Sequence, residues 1–455
     1  MARRRQRRGK VPNEVIEVSI AAMSHEGRGI GHINGKVAFV DGALPGELVK
    51  AKYQRNRSQF SELIAIEVIR PATARVSPPC EYAHKCGGCS LQHLESDAQL
   101  AFKEDMLVDQ FSRIASVKAE DYALLPRLQA KTLGYRRKAR LAARYVPKKG
   151  GVLVGFREKG SGFVMDMNRC EILSEEVGCL INPLRSLLSA LDGCEKIPQI
   201  EIAVGEIDPS KGQNKVVALM FRHLAELTED DLQALLDFGE REKVEVYLQS
   251  GGADTVRKIF PNDQYARLHY YLPAYDLRMS FHPSDFTQIH GELNSLIIDR
   301  AISMLDLNES DSVLDLFCGL GNFTLPMARK AATVVGVEGS IEMVGRAREN
   351  ALSNRVNNAE FYVDDLYKSL HASPWLTKGF NKVLLDPPRS GAREIIPALL
   401  DKHPEKILYV SCNPATLARD TLDLMSGGYK LKSAGVMDMF PHTTHVESIA
   451  EFVLN

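Results

Sequence analysis

No uninterrupted apolar run in this sequence is long enough to span a bilayer, and no apolar segment follows the N-terminal "MARRRQRRGK". Neither a membrane span nor a secretion signal is therefore expected, and the expected location is the cytoplasm. Internal repeats and low-complexity tracts are also missing beyond that basic start, so an array of repeated units is not expected. An excess of charge is lacking too: 57 Lys and Arg stand against 58 Asp and Glu, a net charge of -1, so overall charge points to no class of partner. Without a secretion signal, a disulfide framework is not expected for the eight cysteines. Metal-binding and catalytic roles gain weight instead.

What is present is ordinary in bulk and uneven in detail. At 455 residues, with 44% apolar and 25% charged content, the chain should form two to four soluble domains. Six of the first ten residues are Lys or Arg. Such a block is either a solvated tail or an arm for nucleic acid. Residues 11–70 alternate apolar and polar positions with glycine punctuation, and "VIEVSI", "GKVAFV", "ELVKAKY" and "SELIAIEVI" each read as a strand of a small β-barrel. The stretch "HEGRGIGHINGKVAFVDGALPGE" resembles a TRAM domain, an OB-like RNA-binding barrel. Residues 71–275 are mixed, with a helical stretch near 95–115 and the strand-like "YRRKARLAARY", and read as a central domain.

From residue 276 to 455 the chain alternates strands and helices. "DSVLDLFCG", "ATVVGVEG", "AEFYVDD", "NKVLLDPPR" and "KILYVSCNP" are apolar, β-branched-rich runs, each ending in a polar or Gly/Pro turn. This α/β pattern predicts a doubly wound, mostly parallel sheet, with ligands at the C-terminal ends of its strands. In "VLDLFCGLGNFT" a strand runs into a Gly-rich turn, where Gly319 and Gly321 let the backbone approach a ligand. The loop is not a dinucleotide G-x-G-x-x-G: position 324 is Thr and Asp315 precedes it. The next strand ends in Glu338, able to accept from both hydroxyls of a ribose, and the third in Asp364-Asp365, placed to meet an adenine amino group. Together these runs resemble the class I S-adenosylmethionine-dependent methyltransferases, with an NAD-type Rossmann fold as the alternative.

Two stretches carry the reaction. "YVSCNPATLARD" sets Cys412 on a turn between a strand and a helix, and "DMFPHTTHVESIAEF" offers Glu447 before the last strand. A thiolate adding to C6 of uracil turns C5 into a nucleophile, and a base must later remove the C5 proton so that the thiol can leave. Cys412 suits the first role and Glu447 the second. A lone buried cysteine is usually packing. With "LDLFCGLGNF" and "LLDPPRSG", however, these stretches resemble the RNA uracil-5-methyltransferases. The match implies that Gln288 of "FTQIH" contacts the cofactor, and that Phe317, Asn322, Glu338, Asp365 and Asp386 line the S-adenosylmethionine site. Where that family usually has Asn, this chain has His290. Its loop after Asp386 carries Arg389, and not the aromatic of amino-methyltransferases.

Three cysteines cluster as C-x5-C-x2-C, Cys80, Cys86 and Cys89. Taken alone they suit zinc or are fortuitous. With Cys170 of "NRCEI" they resemble the iron–sulfur branch of the same family, which implies a [4Fe–4S] cluster of structural or RNA-positioning role. Cys179 and Cys194 compete as fourth ligand and are read as structural. The domain order — basic arm 1–10, TRAM barrel 11–70, iron–sulfur domain 71–275, methyltransferase domain 276–455 — matches the enzymes of large-subunit (23S) ribosomal RNA best. The implied partner is that RNA, with no membrane and no obligatory protein partner. A tRNA-directed relative is the close alternative, and a non-catalytic RNA-binding iron–sulfur protein the alternative of another class.

Overall fold

The computed structural model describes residues 11–207, 215–263, 267–368 and 373–455; the basic arm, residues 1–10, lies outside the described residues. The chain forms two compact units, one of residues up to Phe102 with Pro441–Thr444, the other of Lys103–Phe440 with His445–Asn455.

The first unit holds a closed barrel of β1 (Val15–Met23), β2 (Gly29–Ile33), β3 (Lys36–Asp41), β4 (Leu48–Asn56) and β5 (Phe60–Arg70), in the order β1-β2-β3-β5-β4. Alternate side chains point inward, and Val18, Ile20, Ala38, Val40, Val49, Ala51 and Leu63 form its core. Strand β2 was not foreseen, because its glycines read as turn punctuation. A Cβ on Gly31 would lie 2.6 Å from the Ser19 carbonyl, so here glycine permits the close approach of strands. Beneath the barrel, buried Glu47 accepts from the N–H groups of Leu44 (2.8 Å) and Ala72 (3.2 Å) and pairs with Arg75. Burial pushes this carboxyl up, but Arg75 and the two N–H groups outweigh it and hold it below its ordinary range. Helix α1 (Ser96–Gln110) follows.

The second unit contains three sheets. Strand β6 (Ala123–Leu124) comes first in the chain and belongs to the last of them. β7 (Lys138–Val146), β8 (Gly151–Gly155), β9 (Gln199–Glu206), β10 (Lys215–Arg222), β11 (Glu245–Gln249) and β12 (Val256–Phe260) form a sheet in the order β12-β11-β10-β9-β7-β8. The short α2 (Glu175–Gly178) precedes α3 (Ile181–Ala190), which packs on β8, while α4 (Glu229–Glu242) packs on β11 and β12. β13 (Leu268–Leu272) and β14 (Leu277–Phe281) make a hairpin.

The third sheet is built from β15 (Ser312–Leu316), β16 (Thr333–Glu338), β17 (Ala359–Val363), β18 (Lys382–Leu385), β19 (Lys406–Ser411), β20 (Tyr429–Met437) and β21 (Glu447–Leu454), with β6 at one edge. Its order is β17-β16-β15-β18-β19-β21-β20-β6. Neighbours from β17 to β19 are parallel, and β21 runs antiparallel between β19 and β20. Helices α5 (Gly291–Leu305), α6 (Thr324–Ala328), α7 (Ile341–Ser353), α8 (Ile396–Leu400) and α9 (Pro414–Ser426) lie between or beside these strands. Burial on both faces explains the continuous apolar runs: all four residues of β18 are buried, Lys382 included, whose ammonium is held by Asp311 at 2.8 Å. The strand order reverses between β15 and β18, which opens a crevice at their C-terminal ends.

Candidate active site

The register carries the expected site residues to that crevice. Leu316 pairs with Val337 on one side and Leu385 on the other, so Phe317 and Asp386 leave adjacent strand ends, and the Asp386 N–H donates to the Leu316 carbonyl at 3.2 Å. Glu338 pairs with Val363, and the Asp364 N–H donates to the Glu338 carbonyl at 3.0 Å. Phe317, Gly319 and Gly321 all take positive φ, at 64°, 55° and 92°. The loop thus turns left-handed three times over the strand end, a conformation that glycine adopts freely and phenylalanine does not.

Glu338 is pinned at both oxygens, accepting from Gly319 N–H at 3.2 Å and Ser340 N–H at 3.0 Å. Asp364 and Asp365 divide their work. Asp364 accepts from Ser373 and from Trp375 Nε1 and is spent on local structure. Asp365 is exposed and, among the described residues, accepts local bonds from Tyr367 N–H at 3.1 Å and Lys368 at 2.8 Å. The Asn322 side chain accepts from Tyr270 Oη at 2.8 Å and exchanges two bonds with Asn294, both 3.0 Å. Its side chain is therefore engaged within the protein. Under the loop, buried Asp315 accepts from the Thr324 hydroxyl, and burial pushes its carboxyl up to about 8.

Cys412 and Glu447 meet across two antiparallel strands. Ser411 pairs with Ser448, so the next residues outward are Cys412 and Glu447. Asn413 caps α9 by accepting from Ala415 N–H at 3.1 Å, and Pro414 occupies the first helical position, where no N–H is required. The cap holds the cysteine at the mouth of the strand, and losing it costs about 1 kcal/mol. Cys412, Glu447 and Asp386 are each half-buried. Burial pushes Cys412 up to about 11, and Glu447 and Asp386 add to the rise while Arg389 opposes it. Burial pushes Asp386 up to about 7. Burial, then the charge of Asp386, push Glu447 up to about 8, against Arg389 and Lys103. A thiol beside two proton-accepting carboxyls is an arrangement for covalent addition followed by proton removal.

Gln288 is half-buried on the segment before α5, and its carbonyl accepts from Arg137 Nε at 3.3 Å. His290 has a local reason to replace Asn. Its Nδ1 accepts from Leu293 N–H at 3.3 Å, capping α5, and its ring stacks on Tyr135 at 4.9 Å. Arg389, which sequence reasoning treated only as a departure, is an exposed cation near Cys412 and Glu447. Its guanidinium meets His445 Nδ1 at 3.1 Å, and Asn413 Nδ2 donates to its carbonyl at 3.0 Å. The signal was there in the replacement of an aromatic by a cation.

Residues 97–452 match the tRNA (Uracil-5-)-methyltransferase family. The chain belongs to this family. Residues 10–62 match the TRAM domain. Among curated relatives, the 23S rRNA (uracil(1939)-C(5))-methyltransferase RlmD of Alkalilimnicola ehrlichii is 47% identical over 98% of this chain and 98% of its own. The protein of the same name from Hahella chejuensis is also 47% identical, over 98% of this chain and 99% of its own. A solved structure, Pyrococcus abyssi tRNA (uracil-54, C5)-methyltransferase in complex with S-adenosyl-L-homocysteine, matches with a TM-score of 0.71 at 24% identity, over 96% of this chain and 99% of that one, and so shares its fold. The second unit thus carries a class I S-adenosylmethionine-dependent methyltransferase fold, and no helix among the described residues is long and apolar enough to cross a membrane.

The cysteines fall in both units. Cys86 and Cys89 are buried and Cys80 half-buried on one loop of the first unit, where Gly88 N–H donates to Cys86 Sγ at 3.4 Å. Cys170 is buried in the second unit. Cys179 is exposed, with Arg169 donating to its sulfur at 3.4 Å, and Cys194 is half-buried in a short 3₁₀ turn. Among the described residues, no group of three or more His, Cys, Asp or Glu is placed to hold a metal ion.

Proposed function

We propose that this protein methylates C5 of a uridine in 23S ribosomal RNA through a covalent bond between Cys412 and C6. The observation that carries the reading is the pairing of Cys412 with Glu447 at the ends of β19 and β21, beside the strand-end crevice. When bound, S-adenosylmethionine supplies the methyl group to C5 and leaves as a neutral thioether. Phe317, Glu338, Asp365, Asp386, Gln288 and the Asn322 backbone would hold it. Cys412, as thiolate, adds to C6 and pushes the ring electrons onto C5. Glu447 then takes the C5 proton, the C5–C6 double bond re-forms, and the sulfur leaves with the electrons of its bond to C6. Arg389 favours the anionic forms of both groups. A chain that methylates bacterial ribosomal RNA in this way works in the cytoplasm.

The tRNA reading has its own support in the name of the matching family. Identity at 47% to enzymes named for 23S rRNA outweighs it. Incubation with labelled S-adenosylmethionine and either 23S rRNA or bulk tRNA separates the two. Methyl mapping should place the product in an unpaired segment of 23S rRNA, where bases splay out, and position 1939 of the relatives' names is the first to inspect. Label in tRNA alone would overturn the ribosomal reading.

The cysteine cluster belongs to the proposal. Four thiolates suit a [4Fe–4S] cluster, and an N–H bond to a ligand sulfur, as from Gly88, is a usual feature of such sites. Cys80, Cys86, Cys89 and Cys170 would be its ligands. Protein purified without oxygen should be brown and contain iron and sulfide. Cys170→Ala should lose or destabilise the cluster, and Cys194→Ala should not. Stoichiometric zinc without sulfide would sink the assignment.

The basic arm carries no aromatic to stack on bases, so it should read phosphate charge and not sequence. Each phosphate that the arm no longer neutralises should flatten the dependence of log affinity on log salt by about 0.7 to 1. Deleting residues 2–10 should weaken RNA binding at low salt, reduce that slope and leave the methylated uridine unchanged. An unchanged slope identifies the arm as a solvated tail.

A further inference from the structure

Lys103 is a charged side chain with no exposed surface, and the reaction as described does not use it. It projects from α1, and its ammonium donates to Asp438 Oδ1 at 2.6 Å and to the Phe440 carbonyl at 3.0 Å. Asp438 is itself buried, and its N–H donates to the Leu128 carbonyl at 2.9 Å. The ladder shows what this anchor adjoins. Met437, the last residue of β20, pairs with Glu447, the first residue of β21. Asp438 therefore leaves the sheet beside Glu447, just as Cys412 does on the other side. A buried lysine is expensive to keep, and an apolar residue of similar volume would fill the same space at lower cost.

We infer that Lys103 is a positioning residue for the second half of the reaction: it fixes the end of β20 through Asp438 and sets a buried positive charge facing the Glu447 carboxylate. The inference rests on the covalent reading above. Three charges act on Glu447, those of Asp386, Arg389 and Lys103, and only the two cations favour its ionised form. Arg389 is exposed and within reach of His445, whereas Lys103 is sealed from solvent, so its field is weakly screened. On the lysine itself, burial lowers the proton affinity, and Asp438 followed by Glu447 oppose that. His445 feels the same cations: burial, then Arg389, Lys103 and Arg136, hold it below its ordinary value. Lys103 thus favours a carboxylate where burial and Asp386 favour the neutral acid, and removal of the C5 proton requires the carboxylate.

The test follows the methylated RNA–protein adduct by denaturing gel in single turnover, over a range of pH. Lys103→Met alone leaves Asp438 buried without a partner and is expected to fold poorly. Asp438→Asn likewise leaves the buried ammonium without its counter-ion, so the informative form is the double variant Lys103→Met/Asp438→Asn, which removes both charges and should fold. In the double variant the adduct should form at a rate within about threefold of wild type. Its decay should be about tenfold slower at neutral pH and recover at high pH, with the midpoint about one unit higher, since one unit is a tenfold change in the carboxylate. A double variant that resolves its adduct at the wild-type rate and midpoint, or that slows equally at every pH, would show a structural clamp only and overturn the inference, as would failure of all these forms to fold. Absence of adduct in every form, Glu447→Gln included, would instead overturn the covalent reading itself.

Discussion

Cys412→Ser should bind RNA and S-adenosylmethionine nearly as the wild type does and lose turnover on the order of 10³-fold or more. The serine hydroxyl is nearly isosteric, and the Asn413 cap and Pro414 keep the turn in place without it. The loss is chemical. A hydroxyl is far less acidic than a thiol and a poorer conjugate nucleophile. Even the thiol is raised to about 11, by burial first and then by Glu447 and Asp386. Wild-type turnover should therefore rise with pH across the neutral range, because both working groups act in their deprotonated forms. Transfer of labelled methyl into RNA measures it. A serine variant as fast as wild type would refute the covalent route.

Glu447→Gln should complete methylation and then stall, so that a denaturation-resistant protein–RNA band accumulates while free methylated RNA does not. Glutamine keeps the shape and hydrogen-bonding capacity of the glutamate but accepts no proton at neutral pH. The same substitution has a consequence for stability whose sign follows from linkage. A carboxyl with folded-state proton affinity above its unfolded one favours folding at low pH and loses that contribution as pH rises through the folded value. For Glu447 the window runs from its ordinary 4.5 to about 8. Above it, a charge sits in a half-buried crevice beside Asp386, and the amide removes that cost. The variant should melt higher than wild type near about pH 8.5, with the difference shrinking towards about pH 5. Thermal unfolding at the two pH values checks this, and a variant that melts lower at both would mean that Glu447 is a structural residue. Function here is set against stability, as expected where a site holds groups away from their solution behaviour.

Both predictions rest on residues recognisable in the linear sequence, because strand ends are punctuated locally. Apolar runs closed by Gly-rich, Asp-Pro-Pro or Cys-Asn-Pro turns mark where a parallel sheet stops, and a doubly wound sheet gathers its ligands there. Phe317, Glu338, Asp365, Asp386 and Cys412 each sit at such a stop, so their candidacy was visible residue by residue. The α/β class and the alternation of the barrel strands were visible for the same reason: burial on one face or on both imposes a period on the chain. What failed locally was β2, since glycines that permit close strand contact have the same spelling as glycines that make turns.

The sequence by itself determined the fold class and the family resemblance and singled out the pair Cys412 and Glu447 as candidates, because each is written in contiguous motifs. Only the tertiary structure decided what surrounds them. Asn322 is turned away by Tyr270 and Asn294, from 52 and 28 residues off, and β6 reaches the far edge of the sheet from position 123. Lys103 meets Asp438 across 335 positions of chain. Hydrogen bonds and buried charges act over a few ångströms in space with no regard for distance along the chain, so no local pattern announces them. A lysine in a helix rich in charged residues reads as solvated until the fold buries it against Asp438.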